Sequence, residues 1–375
     1  MTPYQGHVAT QITALSQSFF ASFKQANSRA HCFARDSFSN PVLTFPAFYC
    51  NGTSEVAFGA NVTITASIEY PAGVFTQITF SGSATGTITD GSYITSDACP
   101  VSIPNGASFW VRSFVNCTAG IAWSNYTDTN NGEAGNLAAS GLSDQTLGGT
   151  IPNDHGPYRP VSIVATTRKP SVLMLGDSRC GGFTDTVTDA SGDRGEIARS
   201  IGPVLAYINM GVNSDRAVTF VTSHTNRLAI GLCCSHVIGQ YGINDLINVN
   251  NYTAAQFEAN MATVAGYFPN RPFFPCTVAP DTTSTDSWST AANQTIKTNE
   301  AARQTYNTSI RTLGPSWRRW GCLDIASIME DQANIGKWVS AGGAVTGDGL
   351  HENTLGNATL KSSGVISPYR VGNAR

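Results

Sequence analysis

The sequence predicts an α/β chain in which a parallel-sheet unit follows a β-rich unit. Three observations carry this. After about residue 160, continuous apolar runs alternate with helix-spaced segments, the rhythm of right-handed βαβ units. Between about 40 and 127, short stretches rich in β-branched and aromatic residues are punctuated by turn signals. Charge also changes near residue 160: residues 1–160 hold five Lys/Arg and nine Asp/Glu, whereas residues 161–375 hold 17 and 16. The expected division is therefore 1–160 for an N-terminal helix, a β-rich accessory domain and a linker, and 161–375 for the α/β domain.

Residues 8–29 place Val8, Ile12, Leu15, Phe19 and Phe23 at helical spacing, which predicts an amphipathic helix. Residues 62–70, 76–82 and 108–117 read as strands, separated by turns at Pro71–Gly73, Asp90-Gly91 and Pro104–Gly106. Strands at this spacing predict a β-sandwich or jelly roll. Residues 128–160 are polar and Gly-rich, and read as loop and linker. Residues 171–175 (SVLML) form a continuous apolar run, as in a strand covered on both faces. Similar runs lie at 204–210, 233–242, 273–280 and 321–328, with helical patterns at 253–268 and 295–313. Ligands of such sheets bind beyond the carboxyl ends of the strands, so the residues after each run are where chemistry is expected.

With 375 residues and 41% hydrophobic content, the chain has room for two domains and a substantial core. Net charge is −3 and no basic stripe exists, which argues against a nucleic-acid partner. No apolar stretch is long enough to predict a membrane-spanning helix. The nine cysteines form no CxxC pair, and the six histidines form no HExxH set, so neither a metal nor a cofactor is expected. Cys32, Cys50, Cys99 and Cys117 have spacings compatible with two disulfides, Cys32–Cys50 and Cys99–Cys117 being one pairing; buried free thiols are the alternative. The N-terminus does not read as a signal peptide, while the low charge of residues 1–160 suits an extracellular or particle-surface setting.

Four places after apolar runs hold unusual residues. Gly176-Asp177-Ser178 presents either an exposed hydroxyl at a strand–helix junction or a helix N-cap. Asn209-Met210-Gly211-Val212-Asn213 offers a turn glycine or a close backbone approach to a ligand. Gly242-Ile243-Asn244-Asp245 reads as a turn or as an amide donor aimed into a site. Asp348-Gly349-Leu350-His351 can direct an acid and an imidazole to one point: histidine accepts a serine proton and aspartate fixes its tautomer.

In this order the four blocks resemble the SGNH hydrolase superfamily, the GDSL esterases and lipases. The resemblance covers about residues 170–366. It implies a three-layer, flavodoxin-like fold around a parallel sheet. It also implies Ser178 as nucleophile, His351 as general base and Asp348 as its orienting acid. The oxyanion hole it implies combines the Ser178 and Gly211 N–H groups with the Asn244 amide. Arg179 departs from the smaller residue common in that family; it is expected to hold an anionic substrate group, face solvent, or pair with Asp185 or Asp177. Arg179, Asn213, Asp215, Arg216 and Asp245 are candidates for substrate contact or loop shaping, with Asp215 and Arg216 expected to bond each other. Glu352 stands where proline is frequent in the family. Cys180 reads as packing.

The activity implied is hydrolysis of small acyl esters, acetyl esters of carbohydrate being the most attractive, through an acyl-enzyme on Ser178. Two alternatives remain: a structural or adhesive protein, such as a phage tail-associated one, with a degenerate hydrolase domain, or an acyltransferase using the same site. Trp110, Trp123, Tyr93 and Tyr126 are candidates for a sugar-stacking surface or for core. If the β-rich unit only binds, its removal is expected to spare turnover of a small ester.

Overall fold

Val172 and Met174 point to one side of the run at 171–175, Leu173 and Leu175 to the other, and all four are fully buried. The two sides belong to different apolar clusters. Leu173 and Leu175 pack with Ile208, Met210 and Val237 against Phe257, Met261 and Val264 of the helix Ala254–Gly266. Val172 and Met174 pack with Tyr207 and Ile238 against Ile197 and Ile201 of the helix Glu196–Ile201 and Leu360 of the helix Thr354–Ser363. Helices on both faces of one sheet make three layers. The computed structural model describes residues 2–186, 189–312, 314 and 316–374.

The sheet is parallel and four-stranded, in the order Ala206–Gly211, Ser171–Gly176, His236–Gln240, Phe273–Pro275. Gly176 stands opposite both Gly211 and Gln240, so three strands end at one level and their following loops converge. The helix at 254–266 begins at a capping box, Thr253 with Gln256, which satisfies two N-terminal donors reciprocally. The run at 321–328 contributes a single bridge, Leu323 to Cys276, before the short helix Ala326–Met329. The helix expected over 295–313 occupies Glu300–Arg311, after the short strand Gln294–Ile296.

The β-rich unit contains two larger antiparallel sheets. One has the path Phe75–Ile78, Val62–Glu69, Ser108–Cys117, Gln25–Ala34, Ala134–Ala138. The other is ordered Tyr4–His7, Ser162–Thr167, Val42–Pro46, Tyr93–Thr95. Ile64, Ile68, Val111 and Val115 of the first share a cluster with Leu43, Phe45 and Ile163 of the second. Gly73, Gly91 and Gly106 at the expected turns all have positive φ.

Several expectations are corrected here. Residues 8–29 are not a helix: Ala9–Thr10, Ser18–Phe20 and Gln25–Ala34 are strands. Val8, Leu15 and Ile12 each enter a different apolar cluster, so their helical spacing reports three destinations rather than one face. The segment is also rich in Ser, Thr, Asn and Gln, weak helix formers that tertiary contacts easily overrule. Residues 128–160 are not a free linker. Ala134–Ala138 adds a sheet edge, Glu133 and Arg159 form a buried ion pair, and Arg112 Nη1 donates to the Gln145, Gly148 and Gly149 carbonyls. Ser162–Thr167, on the far side of the expected division, pairs with strands of the β-rich unit. All nine cysteines are free thiols. Cys32 and Cys50 lie in different clusters, and burial pushes the Cys99 thiol up to about 11 and Cys50 up to about 12.

The two units are joined through their cores. Ala14, Leu15, Phe48, Cys50 and Val161 sit in the same cluster as Leu173 and Ile208. Arg35 Nη2 donates to both carboxylate oxygens of Asp193 at 2.7 Å, with both side chains buried. Glu55 accepts from the Asn226 and Arg227 N–H groups at the start of the helix Thr225–Gly231. Expressed alone, residues 161–375 are therefore expected to be insoluble or to lack cooperative unfolding by circular dichroism, so removing the β-rich unit does not spare turnover. In the full chain, Arg35→Ala leaves Asp193 without its countercharge and is expected to lower stability by about 3 kcal/mol, read from the urea midpoint.

Candidate active site

The strand Ser171–Gly176 delivers a tight turn. A Cβ on Gly176 would lie 2.5 Å from the Gln240 carbonyl oxygen and 2.6 Å from Cys180 Cβ, so only glycine lets the chain fold back here. Asp177 Oδ1 accepts the Arg179 N–H at 2.9 Å. The local capping role thus falls to Asp177, and the Ser178 hydroxyl is free for another partner. Ser178 Oγ lies 2.7 Å from His351 Nε2. His351 Nδ1 lies 2.7 Å from Asp348 Oδ2.

The Asp348–His351 turn is built for this. Asp348 Oδ1 accepts the Leu350 and His351 N–H groups, both at 2.8 Å. Gly349 has φ +76°, and a Cβ there would meet the Thr282 carbonyl oxygen at 1.9 Å. Partial burial works to raise the Asp348 carboxyl, but the hydrogen bonds from His351 Nδ1 and from the two N–H groups outweigh it and hold it well below the usual range. It stays an anion, suited to hold a proton on Nδ1 and leave the Nε2 lone pair facing Ser178.

Of the roles expected of Arg179, its contacts fit loop shaping. Its buried guanidinium donates to the carbonyls of Leu350 (2.8 Å), Ala279 (3.2 Å) and Pro280 (2.9 Å). It ties the serine turn to the histidine turn, so it shapes loops and does not face solvent. Asp185 pairs instead with Arg199 at 2.6 Å. Asp215 pairs with Arg227 at 2.7 Å rather than with the Arg216 guanidinium, which donates to Asn250 Oδ1. Only the Arg216 backbone N–H reaches Asp215.

Asn244 opens a short π-helical turn, Asn244–Asn248. Its Nδ2 donates to the Asp215 carbonyl at 3.1 Å, which commits one amide hydrogen of two. Gly211 is a correction: its N–H donates to Asn209 Oδ1 at 2.9 Å and is not free for an oxyanion. The glycine is needed for packing, since a Cβ would lie 2.4 Å from Gly181 N. The turn that follows, Val212–Asp215, is closed by the Asp215 N–H to Val212 carbonyl bond at 3.1 Å, with Ser214 at φ +64°. Among the described residues, neither the Ser178 nor the Ser214 N–H has an acceptor. The left-handed φ of Ser214 was not legible, because serine rather than glycine occupies it. Asn213 accepts from Tyr126 Oη at 2.6 Å.

Beside the serine turn, Asp177, Arg179, Glu196 and Gln240 line a small cavity together with apolar side chains such as Ile243, Val278 and Ile325. Among the described residues, both Glu196 oxygens, Gln240 Oε1 and Glu352 Oε1 have no hydrogen-bond partner. Burial pushes Asp177 up to about 6 and raises Glu196 and Glu352 as well. Phe183 flanks His351, ring centroids 4.9 Å apart, and is 42% exposed, an apolar wall beside the imidazole that no sequence signal marked. Cys180 is buried against Asn209. Of the aromatic candidates for sugar stacking, Trp110 is covered by Arg29, Trp123 lies between Phe20 and His155, and Tyr126 is buried; Tyr93 is exposed. Among the described residues, no group of three or more His, Cys, Asp or Glu is placed to hold a metal ion, and no helix is long and apolar enough to cross a membrane.

Asp245 is fully buried; Oδ2 accepts the Ala217 N–H while Oδ1 has no partner among the described residues, and burial pushes its carboxyl up to about 7. The folded state keeps this proton where the unfolded chain, near 3.9, has lost it. Asp245 therefore supports stability fully below about pH 4 and loses that contribution as pH rises through about 7. Asp245→Asn is expected to match wild type in melting temperature at pH 4 and to exceed it at pH 8, checked by calorimetry across that range.

No protein-family model matches the chain, and no curated protein matches it. Solved structures do. A GDSL-like lipase from Bacteroides thetaiotaomicron shares 17% identity at TM-score 0.37, covering 51% of this chain and 84% of its own. A carbohydrate acetylesterase family member from Sinorhizobium meliloti shares 14% at TM-score 0.38, covering 55% and 100%. A peptidoglycan O-acetylesterase shares 12% at TM-score 0.39, covering 97% of this chain and 75% of its own.

Proposed function

We propose that this chain is a serine esterase acting on small acyl esters, with acetyl groups on carbohydrate as its substrate class. One observation carries the reading: the unbroken relay from Ser178 Oγ through His351 to Asp348, with 2.7 Å at each junction. A neutral serine hydroxyl is a weak nucleophile without an adjacent base, and here the base is in hydrogen-bond contact and oriented by an anion. His351 Nε2 takes the hydroxyl proton as Ser178 Oγ attacks the ester carbonyl carbon. The oxyanion that forms meets the Ser178 N–H, the second Asn244 amide hydrogen and the Ser214 N–H in place of Gly211. His351 then returns the proton to the leaving alkoxide, and water repeats the sequence on the acyl-enzyme. Asn213, Asp215, Arg216 and Asp245 shape the loops around these donors.

The complete relay speaks against a degenerate hydrolase domain. The shared apolar cluster of the two antiparallel sheets supports a sandwich for the β-rich unit. Ser178→Ala is expected to abolish hydrolysis of p-nitrophenyl acetate with an unchanged melting temperature; turnover at the wild-type rate overturns the nucleophile. Asn244→Ala is expected to lower kcat by about 10²–10³ with little change in KM, measured by steady-state kinetics on the same ester.

A further inference from the structure

The β-rich unit reaches the site itself. Gln17 Oε1 accepts the Asn213 N–H at 2.9 Å, and Gln17 Nε2 donates to the Gly211 carbonyl at 3.1 Å. Tyr126 donates its hydroxyl to Asn213 Oδ1 at 2.6 Å. Gly52 approaches so closely that a Cβ on it would lie 2.5 Å from the Asn213 carbonyl oxygen. Three groups of Asn213 are thus met by residues from the first 160 positions.

Tyr126 is itself held firmly. Its N–H and carbonyl both bond Ser124 Oγ, its carbonyl also accepts from Arg159 Nη2, and the Arg194 guanidinium covers its ring at 4.7 Å. A Cβ on Gly181, three residues past Ser178, would lie 3.1 Å from Tyr126 Oη.

We propose that Gln17 and Tyr126 are positioning residues of the hydrolytic site, fixing the Val212–Asp215 turn that carries its oxyanion donors. In a trans peptide the carbonyl and the following N–H point in opposite directions. With the Asn213 carbonyl backed against Gly52, the Ser214 N–H is turned away from the β-rich unit. The Asp215 carbonyl, at the end of the same turn, holds the Asn244 amide. Anchoring Asn213 therefore sets two donors together.

This inference rests on the esterase reading, and its test separates the two. Full-length Tyr126→Phe removes one hydroxyl; Gln17→Met removes both polar contacts and keeps the side-chain length. Each is expected to lower kcat on p-nitrophenyl acetate by about 10–100-fold with KM nearly unchanged. The inhibition constant of phenylboronic acid, which forms an anionic tetrahedral adduct on a nucleophilic serine, is expected to rise by the same factor. A variant that melts earlier yet keeps its kcat counts against the proposal, and wild-type kcat and boronate affinity in both variants overturn it. Should Ser178→Ala retain wild-type turnover, the esterase reading fails. Amide exchange at Asn213 and Ser214 then decides the anchoring: faster exchange in the variants upholds it, and unchanged exchange overturns it.

Discussion

An edge strand in a parallel sheet presents unpaired backbone groups along its length, and it must be covered. Here that strand is Ala206–Gly211, and the cover is the chain from Ile12 to Gln17. Asn209 lies at the centre of the contact: its carbonyl accepts the Ala14 N–H at 2.8 Å, and its Nδ2 donates to the carbonyls of Ile12 and Cys180. Once this edge is closed by the β-rich unit, much else follows. Leu15 fills the core under the sheet, Gln17 arrives beside the turn after the strand, and the two units cease to be separable bodies.

Behind the Ser178–His351–Asp348 relay lies a buried floor rich in carboxyl groups. Arg179 satisfies three carbonyls from two loops, and the carboxyl groups of Asp177, Glu196 and Glu352 are crowded behind it. Burial raises all three above the ordinary carboxylate range, while hydrogen bonds hold Asp348 below it. That carboxylate is partly exposed and accepts from Thr346 Oγ1, from the Leu350 and His351 N–H groups and from His351 Nδ1, so the anion that orients the imidazole is itself held in place.

What was legible in the sequence was local. Each of the four motif blocks is a strand end and its turn, and a few adjacent residue types encode such a unit. Asp348 and His351 meet as their spacing suggested, Ser178 joins them as the family resemblance implied, and Asn244 bonds the Asp215 carbonyl. What failed was set by distant partners. Val8, Ile12 and Leu15 kept a helical interval while entering three clusters. Gly211 lost its role to the Asn209 side chain two positions earlier. Arg179 found carbonyls a hundred or more positions away. The polar composition of 128–160 hid a segment whose polar groups are consumed by buried arginines. Gln17 and Tyr126 carry no local mark at all, because their chemistry exists only when two halves of the chain meet.

The site also has a history in time. Ser178 and His351 are 173 positions apart, and Gln17 and Asn213 are 196 apart. Closing loops of that length delays the contacts they carry, and topologies dominated by distant pairings fold slowly. Assembly of this site is therefore expected to be slow, since it needs both distant closures.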